Sequence, residues 1–145
     1  MDRMHMIGKD AMLALTVAAE EGDPEACAAL GRIYFEGDGT DADWVRARGF
    51  LETAARNGDA GSMVMLGRIY LAGVGVKSDP AAAFLLFRES AMAGNADAMY
   101  RLGDMYMSGR YMRRCEARAM DLFRRSAELG SEEAADMCRR RIIPS

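Results

Sequence analysis

The sequence contains few of the residues on which disulfide frameworks, metal sites or catalytic triads depend. His5 is the only histidine, and the three cysteines (Cys27, Cys115 and Cys138) are an odd number without close spacing. A disulfide framework needs paired cysteines at regular spacings, so we expect reduced thiols, a reducing compartment and a cytoplasmic location. Because the only histidine lies in the N-terminal stretch before the first predicted helix, a histidine-based dyad or triad lacks its base, and no zinc-ligand spacing occurs. We therefore expect no enzymatic activity, no metal and no cofactor.

Long apolar runs and a strong net charge are also missing. The apolar segment 11–19 is too short to span a bilayer. It resembles the core of a signal peptide, but it fits the repeat described below, so we expect it to be structural. The net charge of −3 gives no overall attraction to nucleic acid. The chain has only three prolines, and alanine, leucine, methionine, arginine and glutamate are plentiful, which favours helices.

A repeat of 36 residues runs through the chain without insertion or deletion. Several columns keep this step: Gly22, Gly58, Gly94 and Gly130; Leu30-Gly31, Leu66-Gly67 and Leu102-Gly103; Tyr34, Tyr70 and Tyr106; Ala47, Ala83 and Ala119. A period between about 20 and 50 residues is typical of solenoids and related arrays.

Each unit has the pattern of a helical hairpin. The first helix should begin after an N-cap residue, at Asp23, Asp59, Asn95 and Ser131 in the four copies. It should end near Gly37, Gly73 and Gly109, where glycine can adopt a left-handed cap. The second helix should start near Asp43 in the first unit and near Asp79-Pro80 in the next.

Three glycines, Gly31, Gly67 and Gly103, fall in the middle of the predicted first helices. A glycine there costs about 1 kcal/mol relative to alanine. Its repetition suggests that a partner helix crosses too closely to admit a Cβ atom.

The 36-residue step also defines the ends of the array. Residues 9–21 match a lone second helix, and residues 130–141 match a terminal half-repeat in which Arg139 replaces the glycine. The full repeats are 22–57, 58–93 and 94–129. We predict one all-α domain over residues 1–145, a right-handed α/α superhelical solenoid of helical hairpins with about eight helices.

The segments 22–39 (GDPEACAALGRIYFEGDG) and 66–84 (LGRIYLAGVGVKSDPAAAF) resemble the Sel-one-like repeat family, which is related to the tetratricopeptide repeat. The resemblance covers residues 9–141. Tyr111 and Cys115 depart from its pattern, replacing a loop glycine and an acidic residue. It implies a right-handed helical solenoid and a non-catalytic adaptor or scaffold that holds protein partners together.

The first helices are expected to line the concave side of such a stack, where they could bind a protein or peptide. Apolar residues recur in one column there with arginines beside them, which is typical of an interface core. The candidate partner-binding residues are Ala28, Arg32, Phe35, Val64, Arg68, Leu71, Tyr100, Asp104 and Met107. The alternative is that these side chains only complete the packing between helices.

Other functions remain open at this point. One is a dedicated inhibitor or immunity protein that neutralises a single effector or toxin. Another is nucleic-acid binding through the region 110–145, which contains nine arginines against six acidic residues, although the negative net charge of the chain disfavours it. The first 72 residues carry seven basic and twelve acidic side chains. This asymmetry also makes self-association possible.

Overall fold

The computed structural model of the chain describes residues 8–37 and 41–142, and this part forms eight α-helices and no β-strand. The helices are α1 (Lys9–Glu20), α2 (Pro24–Glu36), α3 (Asp41–Arg56), α4 (Ala60–Ala72), α5 (Pro80–Met92), α6 (Ala96–Ser108), α7 (Glu116–Glu128) and α8 (Glu132–Ile142). The predicted all-α class is confirmed. Helices α2, α4 and α6 are the first helices of the three full repeats, and α3, α5 and α7 are the second helices.

The predicted N-caps are present in all four copies. The carboxylate of Asp23 accepts a hydrogen bond from the Ala26 amide at 2.9 Å, and Asp59 and Asn95 make the equivalent bonds at 2.9 Å. The Ser131 hydroxyl accepts from the Ala134 amide at 3.2 Å. Each bond satisfies an amide that the first turn of a helix leaves without an intrahelical partner. Cys115 is the N-cap residue of α7 and makes no such side-chain bond.

The glycines after the first helices differ from one another. Gly73 and Gly109 adopt left-handed conformations with φ of 75° and 64°, as predicted. The prediction is wrong for Gly37, whose φ is −52°. A Cβ atom at Gly37 would lie 2.8 Å from Oδ2 of Asp43, so glycine there makes room for the start of α3.

The tertiary contacts group the chain into two compact units, Met1–Ala83 and Phe84–Ser145. In the first unit, α2 packs against α1, α3 and α4. Its centre includes Leu30 and Leu51, both fully buried. In the second unit, α7 packs against α6 and α8, and Phe123 of α7 is fully buried in a cluster with Ala119 and Ala134.

Two of the mid-helix glycines lie where a second helix crosses closely. A Cβ atom at Gly31 would lie 2.6 Å from Cδ2 of Leu51, and one at Gly103 would lie 2.8 Å from Cε1 of Phe123. Such separations are well inside van der Waals contact. The predicted reason for the glycine column is therefore confirmed at both positions.

Candidate functional site

In the first unit, two successive first helices, α2 and α4, contact each other directly. Arg32 is an exposed residue of α2. A Cβ atom at Gly61, in the first turn of α4, would lie 3.1 Å from Nη2 of Arg32. Arg68 of α4 extends in the opposite direction, over the ring of Phe35 in α2. The two predicted arginines thus lie along the same boundary between α2 and α4, which we call the first-helix groove.

Arg68 is positioned by an aromatic pair. The rings of Phe35 and Trp44 stack with centroids 4.5 Å apart and an interplanar angle of 12°. The guanidinium carbon of Arg68 lies 4.9 Å from the Phe35 centroid and 5.7 Å from that of Trp44. The Trp44 indole N–H donates a hydrogen bond to the Phe35 carbonyl oxygen at 3.1 Å, which orients the pair. This cation–π arrangement reduces the freedom of the Arg68 side chain.

Several predicted contact residues contribute less surface than the sequence suggested. Phe35 is 6% exposed and Val64 is 4% exposed, so both belong largely to the packing of the first unit. Leu71 and Ala28 are half-buried. Ala28 lines an open groove of about 390 Å³ together with Pro24, Glu25, Ala54, Asn57, Gly58 and Asp59.

The other three predicted residues lie in the second unit. Asp104 is exposed, and Tyr100 packs against Phe123 with ring centroids 5.8 Å apart. Met107 is half-buried, and its sulfur accepts a hydrogen bond from Nη2 of Arg114 at 3.6 Å. Burial raises the pKa of Tyr100 above its ordinary value of 10.0, and the negative charges of Asp104 and Glu133 raise it further. The Tyr100 hydroxyl therefore stays protonated at neutral pH.

The arginines and the apolar side chains near them are groups of the kind that can bind a partner. Guanidinium groups offer forked donors that match carboxylates in a bidentate manner, and the neighbouring apolar surface can exclude water from such contacts. Among the residues that the structure describes, no group of three or more His, Cys, Asp or Glu side chains could hold a metal ion. Within the same residues, no helix has the length and hydropathy needed to span a membrane. His5 lies outside the described residues.

A fold of consecutive helical hairpins with a 36-residue period defines a class of helical-repeat proteins, and comparison with protein families assigns the chain within it. The family model of the Sel1 repeat matches residues 24–59, 60–95 and 96–131. The chain belongs to the Sel1 repeat family. Proteins of this family are generally protein-interaction scaffolds without catalytic activity.

Solved structures agree with this assignment. A Sel1 repeat protein from Oxalobacter formigenes is 30% identical, with a TM-score of 0.74 over 89% of this chain and 97% of its own. A protective antigen of uropathogenic Escherichia coli strains, c5321, displays an SLR fold. It is 34% identical with a TM-score of 0.74, but the match covers 86% of this chain and only 27% of the antigen.

The cysteine-rich protein B of Helicobacter pylori shares the fold, at 22% identity and a TM-score of 0.65. Its match covers 89% of this chain and 92% of that protein. No curated protein sequence matches the chain significantly.

Trp44 is the main contributor to the site that sequence reasoning missed. It lies on α3, a second helix, and no tryptophan stands at the equivalent positions of the other units, where the chain has Gly8, Pro80 and Glu116. Its only signal was that it is the single tryptophan of the chain. The 36-residue columns therefore gave no indication that it would stack on Phe35.

Proposed function

We propose that the chain is a non-catalytic adaptor that binds a protein or peptide along its first helices, with Arg32 and Arg68 contacting carboxylates of the partner. The observation that carries this proposal is the placement of both guanidinium groups along the α2–α4 boundary, with Arg68 held on the Phe35–Trp44 stack. Membership of a family of protein-interaction scaffolds supports it.

The aromatic pair gives Arg68 a physical advantage as a binding residue. A free arginine side chain loses about 0.5–1.5 kcal/mol of rotamer entropy when a partner immobilises it. Because Phe35 and Trp44 already restrict Arg68, part of that loss has occurred before the partner arrives. Phe35 and Val64 then act by supporting the surface, and Ala28, Arg32 and Leu71 provide contact area. In the second unit we propose that Tyr100, Asp104 and Met107 also provide contact area for the partner.

We also propose that the protein works in the cytoplasm. Cys27, Cys115 and Cys138 are all free thiols. Free thiols persist where glutathione and thioredoxin keep cysteines reduced. Cys27 is 1% exposed, and its thiol donates to the Ala19 carbonyl oxygen at 3.3 Å.

The proposal is tested with a partner captured on the immobilised chain, identified by mass spectrometry and then purified. Its dissociation constant is measured by calorimetry for the wild type and for an Arg32→Glu/Arg68→Glu variant. We expect the charge reversal to weaken binding by about tenfold or more, because opposed charges replace paired ones.

A matched control variant, Arg46→Glu/Arg56→Glu, reverses the charges of two exposed residues of α3. It makes the same change in net charge and should bind nearly as the wild type does. Thermal melting confirms that both variants are folded. If the folded Arg32→Glu/Arg68→Glu protein and the wild type bind the partner with equal affinity, the first-helix groove is not the partner-binding surface.

A further inference from the structure

The loop between α6 and α7 departs from the repeat in both pattern and charge. Tyr111 stands where the other units have a second loop glycine, and Cys115 where they have an acidic residue. Four arginines lie between positions 109 and 118, with Glu116 as the only acidic residue there. This segment is therefore strongly basic in a chain whose net charge is −3. The repeat pattern does not require such a cluster, because the equivalent stretch of the preceding unit, residues 73–82, has Lys77 as its one basic residue.

Two open grooves flank Tyr106 beside this loop. One has a volume of about 420 Å³ and is lined by Tyr106, Met112, Arg113, Arg114, Cys115 and Arg118. The other has a volume of about 400 Å³ and is lined by Leu102, Tyr106, Ala117, Arg118, Asp121 and Leu122. Tyr106 and Arg118 line both grooves, so we treat the two grooves as one surface, the Tyr106 groove. Its lining is apolar apart from the arginines, Asp121 and the Tyr106 hydroxyl.

The centre of the Tyr106 groove is held by contacts within the second unit. Phe84 of α5 packs edge-on against the Tyr106 ring, with centroids 5.9 Å apart. The guanidinium carbon of Arg118 lies 5.7 Å from the same ring, and its Nη1 donates to the Tyr106 hydroxyl at 3.5 Å. Tyr106 thus offers an oriented aromatic surface with a cation beside it.

The acidic groups near the groove have arginine partners. Glu116 lies 3.4 Å from Nη2 of Arg114. Asp121 lies 3.7 Å from Arg124 and 3.9 Å from Arg125, along the exposed surface of α7. Arg113 and Arg118 are both exposed, and three arginines but only one carboxylate line the groove. A ligand that complements them must carry negative charge.

We propose that the Tyr106 groove binds an acidic segment of a protein partner. One large apolar side chain of that segment packs on Tyr106 and Met112, and carboxylates on either side of it pair with Arg113 and Arg118. This surface shares no residue with the first-helix groove, so it is a second interaction site.

A nucleic-acid strand fits these observations less well. Strand binding requires a continuous basic track that follows the phosphates, usually with successive aromatic platforms. The groove has one central ring, Tyr106, and the carboxylate of Asp121 lines its other end. Its volume suits one or two side chains.

The test uses the full chain and a fluorescein-labelled peptide, Glu-Glu-Phe-Glu-Glu, in an anisotropy titration at low salt. A peptide with glutamine in place of every glutamate, one with alanine in place of phenylalanine, and a single-stranded oligo-dT are titrated in parallel. We expect the acidic peptide to bind more tightly than the other three. An Arg113→Glu/Arg118→Glu variant should lose about tenfold or more in affinity, because charge reversal opposes the carboxylates.

The control variant is Arg139→Glu/Arg140→Glu, which makes the same change in net charge on α8, where both arginines are exposed. It should retain the affinity of the wild type to within about threefold, because neither arginine lines the Tyr106 groove. The proposal is overturned if the acidic peptide does not bind, or if both charge-reversed variants lose affinity equally. Tighter binding of oligo-dT that depends on Arg113 and Arg118 would assign the groove to nucleic acid instead.

Discussion

Leu51 occupies the space that a side chain on Gly31 would need. The Cβ atom of an alanine at position 31 would lie 2.6 Å from Cδ2 and 2.9 Å from Cγ of Leu51, and 3.4 Å from its amide nitrogen. Phe123 has the same relationship to Gly103 in the second unit. Close packing of a second helix thus explains glycine at positions 31 and 103, although glycine weakens a helix in isolation.

Substitution of two helical glycines by alanine should change stability in opposite directions. Gly31→Ala should lower the free energy of unfolding by about 1–3 kcal/mol, the usual cost of overpacking a core. Gly49→Ala should raise it by about 0.5–1 kcal/mol, because Gly49 lies inside α3 and nothing beyond its chain neighbours and the adjacent helix backbone lies within 4 Å of a Cβ there. Urea denaturation measures both. Destabilisation by Gly49→Ala, or stabilisation by Gly31→Ala, would contradict the packing explanation.

Arg68→Ala should alter the environment of Trp44 as well as stability. Loss of the cation from the faces of Phe35 and Trp44 should cost about 0.5–2 kcal/mol. Since Trp44 is the only tryptophan, intrinsic fluorescence reports on this cluster directly. The emission maximum or intensity should change for Arg68→Ala and stay constant for Arg56→Ala, an exposed control on the same helix as Trp44. Identical emission from both variants would show that Arg68 does not rest on the aromatic pair in solution.

The raised pKa of Tyr100 predicts a loss of stability at alkaline pH. The hydroxyl holds its proton more tightly in the folded chain than in the unfolded chain, because burial and the charges of Asp104 and Glu133 disfavour the phenolate. The contribution of this protonated hydroxyl to the free energy of unfolding is complete below the pKa of tyrosine in the unfolded chain, about 10. It is lost as the pH rises toward the pKa of Tyr100 in the folded chain. Between pH 9 and 11, Tyr100→Phe should therefore lose less stability than the wild type, as measured by denaturation at each pH. Parallel pH profiles for the two proteins would contradict this assignment.

The features that recur every 36 residues could be predicted from the sequence. The N-caps at Asp23, Asp59, Asn95 and Ser131 and the reason for Gly31 could all be predicted, because each depends on local chemistry repeated in phase. The helix bounds followed to within a few residues.

Features that occur once could not be predicted in this way. Phe35 was expected at a binding surface because its column faces away from the core stripe of α2. It is covered instead by Trp44, a residue without counterparts in the other units. Gly37 likewise has its own surroundings: a Cβ atom there would meet Asp43, whereas Ser78 and Arg114 are the neighbours at Gly73 and Gly109. The burial of Val64 could not be predicted for a similar reason. The position of a residue in the repeat shows which face of its helix it occupies, but its exposure depends on how closely the neighbouring helix packs against that face.

Site-specific photo-crosslinking tests most directly whether partners lie on the first helices. A benzoyl-phenylalanine is introduced at Arg32 in one protein and at Gly49, an exposed position of α3, in another. Both are irradiated with the purified partner, and the products are separated by denaturing electrophoresis. We predict a covalent adduct from position 32 and none from position 49. An adduct that forms at position 49 and not at position 32 would place the partner on the second helices and contradict the proposed function.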